Sequence, residues 1–148
     1  MALLVFVADQ LSKYWLVVVF DMQARAPVRV NDYFALVMAW NKGVSFSMFA
    51  GNSVLMPVLL TLAAVIVSVL LTRLALTTTH RLERIGYGMV VGGALGNALD
   101  RVRFGAVADF FYAHLGDLGW PAFNVADMGI CTGVALLLFS MVKHQARS

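Results

Sequence analysis

The chain has 148 residues, enough for one domain, and 61% of them are hydrophobic against 13% charged, roughly half the charged share of a soluble domain. So much apolar surface excludes an ordinary soluble core and points to an integral membrane protein. The net charge of +3 is small and its cations fall at the ends of apolar segments, which speaks for membrane flanks and against nucleic acid as a partner.

Residues 1–20 form a first apolar segment interrupted by Asp9, Gln10, Ser12 and Lys13. Asp9 and Lys13 are one helical turn apart and can pair. Two readings are open for them: a structural ion pair inside a bundle, or direct contact with substrate. If Asp9 lies in the outer half of this span, the residues before it reach only ~12 Å as helix, short of a ~30 Å hydrocarbon core. That points to a start some way upstream of Met1 or to an unusually short span.

Residues 21–53 change character. Arg25, Pro27, Arg29, Asn31 and Asp32 lead into the aromatic, β-prone run DYFALVMAW, too short to span. We read a small extended region on the outer membrane surface. Asn41 and Gly43 near its end suit a turn or a positive-φ position.

Residues 54–72 are a clear span, with Pro57 in its first turn where a missing N–H does little harm. Residues 73–84 are a polar link with Arg73, Arg81 and Arg84. Residues 85–100 form the third span. Gly88, Gly92 and Gly96 make a smooth stripe that permits close helix packing. Gly93, Asn97 and Arg101 make a second, with Asp100 beside it. A carboxamide such as Asn97 near the end of a span must find a hydrogen-bond partner, either loop backbone or the downstream aspartates. Residues 101–123 read as a second outer loop, with Trp120 as an interfacial anchor. Residues 124–143 are the fourth span. Asn124 is a good N-cap, which puts Asp127 at the third helical position, where its charge meets the helix dipole. That alone would account for Asp127, and at this point a structural role and a catalytic one stand level. Cys131, the lone cysteine, lies within an apolar run and reads as a small core residue.

Lysine and arginine are denser in the 73–84 link and the tail, with Lys143 and Arg147, than in the first outer loop. The link and both termini are therefore expected in the cytoplasm. Asp100, Asp109 and Asp127 then gather at the outer face with Asn41, Asn97 and Asn124. Two carboxylates held together cannot both ionise cheaply. Such a pair can activate water with one member and protonate the substrate with the other, as in an aspartic protease. No metal or cofactor is expected, because His80, His114 and His144 are far apart and the chain has no His-Glu-x-x-His or Cys-x-x-Cys spacing. The alternative is a small proton- or ion-coupled membrane transporter with carboxylates spread through the bilayer depth.

The segments ADQLSK (8–13), NKGVSFS (41–47), GGALGNALDR (92–101), VADFF (107–111) and FNVAD (123–127) resemble, in order and spacing, the motifs of the bacterial lipoprotein signal peptidase family, signal peptidase II. The resemblance implies a four-span inner-membrane protein, mainly α, with a small β region on the outer face. It implies an aspartyl endopeptidase that removes the signal peptide of prolipoproteins before a diacylglyceryl-modified cysteine. Asp109 and Asp127 match the family's catalytic pair. Asn41, Gly43, Asn97, Asp100, Arg101, Asn124, Asp9 and Lys13 fall in motifs that line or brace its site. The implied partners are lipid-modified prolipoproteins, membrane lipid and globomycin-type inhibitors. The sequence departs from the family at Ala8, where leucine is usual, and at Val44-Ser45, where small residues are common.

Overall fold

The computed structural model describes residues 1–43, 55–116 and 118–145. Helix α1, Ala2–Lys13, continues as a π-helical turn through Val19, closed by the Phe20 N–H donating to the Trp15 carbonyl at 2.8 Å. Asp21, in the left-handed region at φ 49°, turns the chain. A short helix α2, Met22–Arg25, and strands β1, Val28–Arg29, and β2, Phe34–Asn41, follow. Val44–Ser47 of the turn motif lie outside the described residues, as do Asp117 and Arg147.

Helix α3, Leu55–Thr77, is apolar all round and buries only Ser68. Such a surface, with Leu62 and Ile66 more than half exposed, belongs against lipid. It runs past the expected end at 72, because Leu-Ala-Leu after Arg73 are good helix formers and a long arginine can reach out of an apolar zone. Helix α4 begins at Arg81 and runs to Phe104, so the polar link contracts to residues 78–80. Gly105, at φ 70°, ends α4 by donating its N–H to the Arg101 carbonyl at 3.0 Å, the usual left-handed glycine stop.

The second outer segment is not a plain loop. It holds β3, Val107–Leu115, and β4, Leu118–Gly119. The four strands form one antiparallel sheet in the order β1-β2-β3-β4, with Ala39 opposite Asp109 and Asn41 opposite Val107. Phe110 and Met22 are fully buried beneath it with Leu16, which locks the sheet onto the end of the first helix. Helix α5, Val125–Gln145, closes the chain.

Among the described residues, three helical stretches are long and apolar enough to cross a membrane: Ala2–Val19, Leu55–Thr77 and Val125–Gln145. Helix α4 is as long, at 24 residues, but its glycines, arginines and Asp100 lower its hydropathy. It lies centrally, packed on α1, α3 and α5, and its buried face is mostly glycine, alanine and valine. Gly96 shows why. A β-carbon there would stand 2.5 Å from an Asp9 carboxylate oxygen.

Candidate active site

Two polar clusters meet where α1, α4, β3 and the start of α5 converge. The deeper one is built on Lys13, whose side chain is 6% exposed. Its ammonium lies 2.8 Å from Asp9 and 2.8 Å from Asp100, and donates to Asn97 Oδ1 at 3.2 Å. Asp9 and Asp100 are almost wholly buried. An ion group this deep holds only if its remaining lone pairs are met, and they are. Asp9 Oδ1 accepts the Ala126 N–H at 2.9 Å, and Asp100 Oδ2 accepts the Ala108 N–H at 3.2 Å. Gln10 Nε2 donates to Asp9 Oδ2 at 3.1 Å and to Asp100 Oδ1 at 3.3 Å. This cluster fixes the first turn of α5 and the start of β3 relative to α1 and α4. Sequence reasoning assigned no role to Gln10. Its signal was its place, a carboxamide beside Asp9 inside an apolar run.

The second cluster is built on Asn124. Its side-chain carbonyl accepts the Asp127 N–H at 3.0 Å, and Asp127 Oδ2 accepts the Asn124 N–H at 3.2 Å. This is a reciprocal capping box with aspartate as its third member. The same carboxamide donates from Nδ2 to Asp109 Oδ1 at 2.7 Å and to Asn97 Oδ1 at 3.1 Å. Asn97 Nδ2 donates to Asp127 Oδ1 at 2.8 Å, and Asn41 Nδ2 to Asp109 Oδ2 at 3.1 Å. All four carboxylate oxygens of Asp109 and Asp127 thus accept a hydrogen bond, and both residues hang on one asparagine. Asn97 finds its partner in a downstream aspartate, one of the two options open from sequence.

Strand β3 delivers Asp109, 2% exposed, while Asp127 is half-buried. Burial pushes the Asp109 carboxyl up to about 6, against the Asn41 hydrogen bond, and the negative charge of Asp127 pushes the same way. Gly43, at φ 79°, donates its N–H to Asn41 Oδ1 at 2.8 Å and so orients that carboxamide. A β-carbon at Gly43 would collide with Leu60. Arg101 donates to the Asn97 carbonyl at 3.2 Å, and its buried Nε has no partner among the described residues. The structure thus brings all ten sequence-predicted residues to this one end of the bundle.

Asp127 and Asn41 open onto a cavity of about 480 Å³ whose walls are largely apolar, with Trp120, Phe123, Met128 and Cys131 among them. Trp120 is both exposed and part of this wall. Cys131, expected within the core, is exposed. An apolar cavity with polar groups at one end binds a mostly apolar ligand and fixes its orientation. Here the polar groups are Asp127 and Asn41, with the Asp109 carboxyl buried directly behind Asn41 and hydrogen-bonded to it, an arrangement suited to proton transfer.

A family model described as Signal peptidase (SPase) II matches residues 1–143. The chain is 43% identical over 137 residues to the lipoprotein signal peptidase of Beijerinckia indica subsp. indica, covering 93% of this chain and 82% of the relative. It is 44% identical over 143 residues to that of Nitrobacter hamburgensis, covering 93% and 87%. It is 40% identical over 147 residues to that of Anaplasma phagocytophilum, covering 97% and 90%. In fold it is similar to a bacterial membrane enzyme solved by the in meso method at 2.3 Å resolution, with a TM-score of 0.83 at 22% identity over 99% of this chain and 88% of the other. A second such structure, at 1.9 Å, gives a TM-score of 0.81 at 23% identity over 96% and 90%.

Proposed function

The chain belongs to the signal peptidase II family, and on that premise we propose that it is an intramembrane aspartyl endopeptidase that removes signal peptides from prolipoproteins. The observation that carries the mechanism is the shared attachment of Asp109 and Asp127 to Asn124, at the polar end of an apolar cavity.

The roles follow from the two environments. Asp127 sits in the first turn of α5, where backbone N–H groups and the helix dipole favour negative charge. It takes the part of general base. Asp109 is buried and binds a proton as pH falls through about 6, and it takes the part of acid. Water, held between them, attacks the carbonyl carbon of the scissile amide and gives a proton to the Asp127 carboxylate. The Asp109 carboxyl gives its proton to the carbonyl oxygen. The tetrahedral gem-diol then collapses. One of its hydroxyls returns a proton to the Asp109 carboxylate, the Asp127 carboxyl protonates the amide nitrogen, the C–N bond breaks, and an acid and an amine leave with both aspartates back in their starting states. Asn97 and Asn41 hold the carboxylates in place, and the positive charge of Arg101 lies close enough to both to offset negative charge in the site. The cavity beside Asp127 takes the substrate's apolar portion, including the diacylglyceryl group, and is the seat for a globomycin-type cyclic peptide.

Helix α4 serves as the fourth span. Its polar and glycine positions are covered by its three neighbours, so low hydropathy does not bar it from lipid. With the 78–80 link and the end of α5 in the cytoplasm, the site lies at the outer surface of the bacterial inner membrane. The transporter alternative needs carboxylates at several depths. Asp9, Asp100, Asp109 and Asp127 are joined in one hydrogen-bonded network through Gln10, Lys13, Asn97 and Asn124, which favours the peptidase. The test is cleavage of a diacylglyceryl-modified prolipoprotein by purified protein. Failure of the wild type to cleave, or cleavage by folded Asp127→Asn, would overturn the assignment.

A further inference from the structure

At the opposite end of the bundle, two of the chain's three histidines come together with its single glutamate. His80 is the N-cap of α4, Glu83 lies in the first turn of that helix, and His144 in the last turn of α5. One ligand atom from each lies within 4.8 Å of the others. The imidazole rings of His80 and His144 are 4.0 Å apart between centroids. We propose that His80, Glu83 and His144 form a divalent transition-metal site, best suited to Zn²⁺, that clamps the start of α4 to the end of α5.

Three features support a ligand set over a chance meeting of surface groups. His144 is held beside the carboxylate. Its Nδ1 donates to the Ser140 carbonyl at 2.8 Å and lies 3.9 Å from Glu83 Oε1, so ligation takes either release of that bond or a turn of the ring that brings Nε2 to the metal. Glu83 is likewise oriented from both sides. Thr78 Oγ1 donates to Oε2 at 2.6 Å, and Ser140 Oγ to Oε1 at 3.1 Å. His80 is the open member, with no hydrogen bond to its ring nitrogens among the described residues. Two imidazoles and one carboxylate are a zinc donor set, with water as the fourth ligand. Bonds of ~2.0–2.1 Å at tetrahedral angles put ligand atoms ~3.3 Å apart. Closing from 4.8 Å therefore needs rotamer changes at the two exposed histidines, with Glu83 staying in place. Arg81, Arg84 and Lys143 weaken cation binding here, but Arg84 is drawn off to the Thr78 carbonyl at 3.2 Å. No sequence motif announces the site because its histidines are 64 positions apart by the numbering and meet only once α4 and α5 pack.

Glu83 and Asn97 are separated along α4 by about 21 Å of helix, so this site is independent of the aspartate pair and of the activity proposed for it. The test uses full-length, untagged protein in detergent, stripped with chelator and titrated with Zn²⁺ against a chromophoric indicator. One equivalent of tight binding is expected. Co²⁺ in its place should give visible d–d absorption of a four- or five-coordinate site. Zn²⁺ at about a hundredfold excess over its Kd should raise the melting temperature by several degrees. The His80→Ala/His144→Ala double variant should lose the equivalent, the Co²⁺ band and the thermal shift, and His114→Ala should keep all three. Melting in zinc-free buffer checks that the double variant is folded. If it is not, Glu83→Gln gives the same reading through a weaker Kd, by about tenfold or more. No saturable equivalent in the wild type, or an undiminished one in the folded double variant or in Glu83→Gln, would overturn the proposal.

Discussion

Replacing Asp109 by asparagine should stabilise the folded chain at alkaline pH while abolishing cleavage. The carboxyl is 2% exposed, and burial raises it from 3.8 to about 6. At about 1.4 kcal/mol per decade, the ionised form is ~3 kcal/mol less favourable in the folded chain than in the unfolded one. The folded-state value lies above the unfolded one, so the folded chain holds the proton more tightly. The stability that Asp109 contributes is complete below about pH 4 and is lost as pH rises through about 6. Asparagine does not titrate and escapes that loss. Its carboxamide NH2, a donor, would face the donating Nδ2 of either Asn41 or Asn124, which costs ~1 kcal/mol. The variant should therefore be ~2 kcal/mol more stable than wild type at pH 8, or roughly 4–8 °C in melting temperature, and ~1 kcal/mol less stable at pH 4. Tryptophan-fluorescence melts of both proteins in detergent at pH 4, 6 and 8 measure this directly. A difference between variant and wild type that stays constant across pH would refute the desolvated carboxylate. Cleavage by the variant would refute its role as acid.

Asp127→Asn should lower cleavage by ~10²–10⁴-fold or more, and the double Asp109→Asn/Asp127→Asn variant should be hardly slower than either single one; multiplying losses in a gel-shift assay would mean the two act separately. Lys13→Met should leave Asp9 and Asp100 as unpaired buried charges and destabilise by ~3–5 kcal/mol, read as a lowered melting midpoint; a wild-type midpoint would show that the ion group holds nothing together. Gly96→Ala should force the Asp9 carboxylate aside and cost ~1–3 kcal/mol, whereas Gly105→Ala has open space around the added carbon and is opposed only by its φ of 70°. Equal melting losses for the two would argue against close contact at Gly96.

The helices were legible because apolar runs of this length have few other homes. The pairing of Asn124 with Asp127 was legible too, since an asparagine followed three residues later by an acid is a local signature of a helix start. The Asp9–Lys13 pair was visible from spacing, but its third member, Asp100, comes from a different helix, and no local rule reaches that far. Strand β3 went unseen inside an apparent loop. VADFFYAHL is buried on both faces at its start, so it lacks the alternation that marks a half-exposed strand. Residues 14–19 gave no warning of a π-helical turn. The convergence of His80 with His144 was invisible for the same reason as Asp100, because it depends on how α4 lies on α5.

The hydrogen bond from Ala126 N–H to Asp9 joins residues 117 positions apart, and it bears on how the protein is made. At ~5–20 residues per second, α1 waits on the order of ten seconds between its synthesis and that of the helix end it caps. Asp9 cannot spend that interval in lipid as a bare charge. Lys13, one turn away on the same helix, is its partner from the moment α1 forms, so the helix enters the bilayer carrying a neutral pair. Asp100 and the Ala126 N–H arrive later and convert that travelling pair into a fixed joint. The first helix thus waits for the last, and the Asp9–Ala126 bond that joins them also fixes the helix turn that carries the second carboxylate.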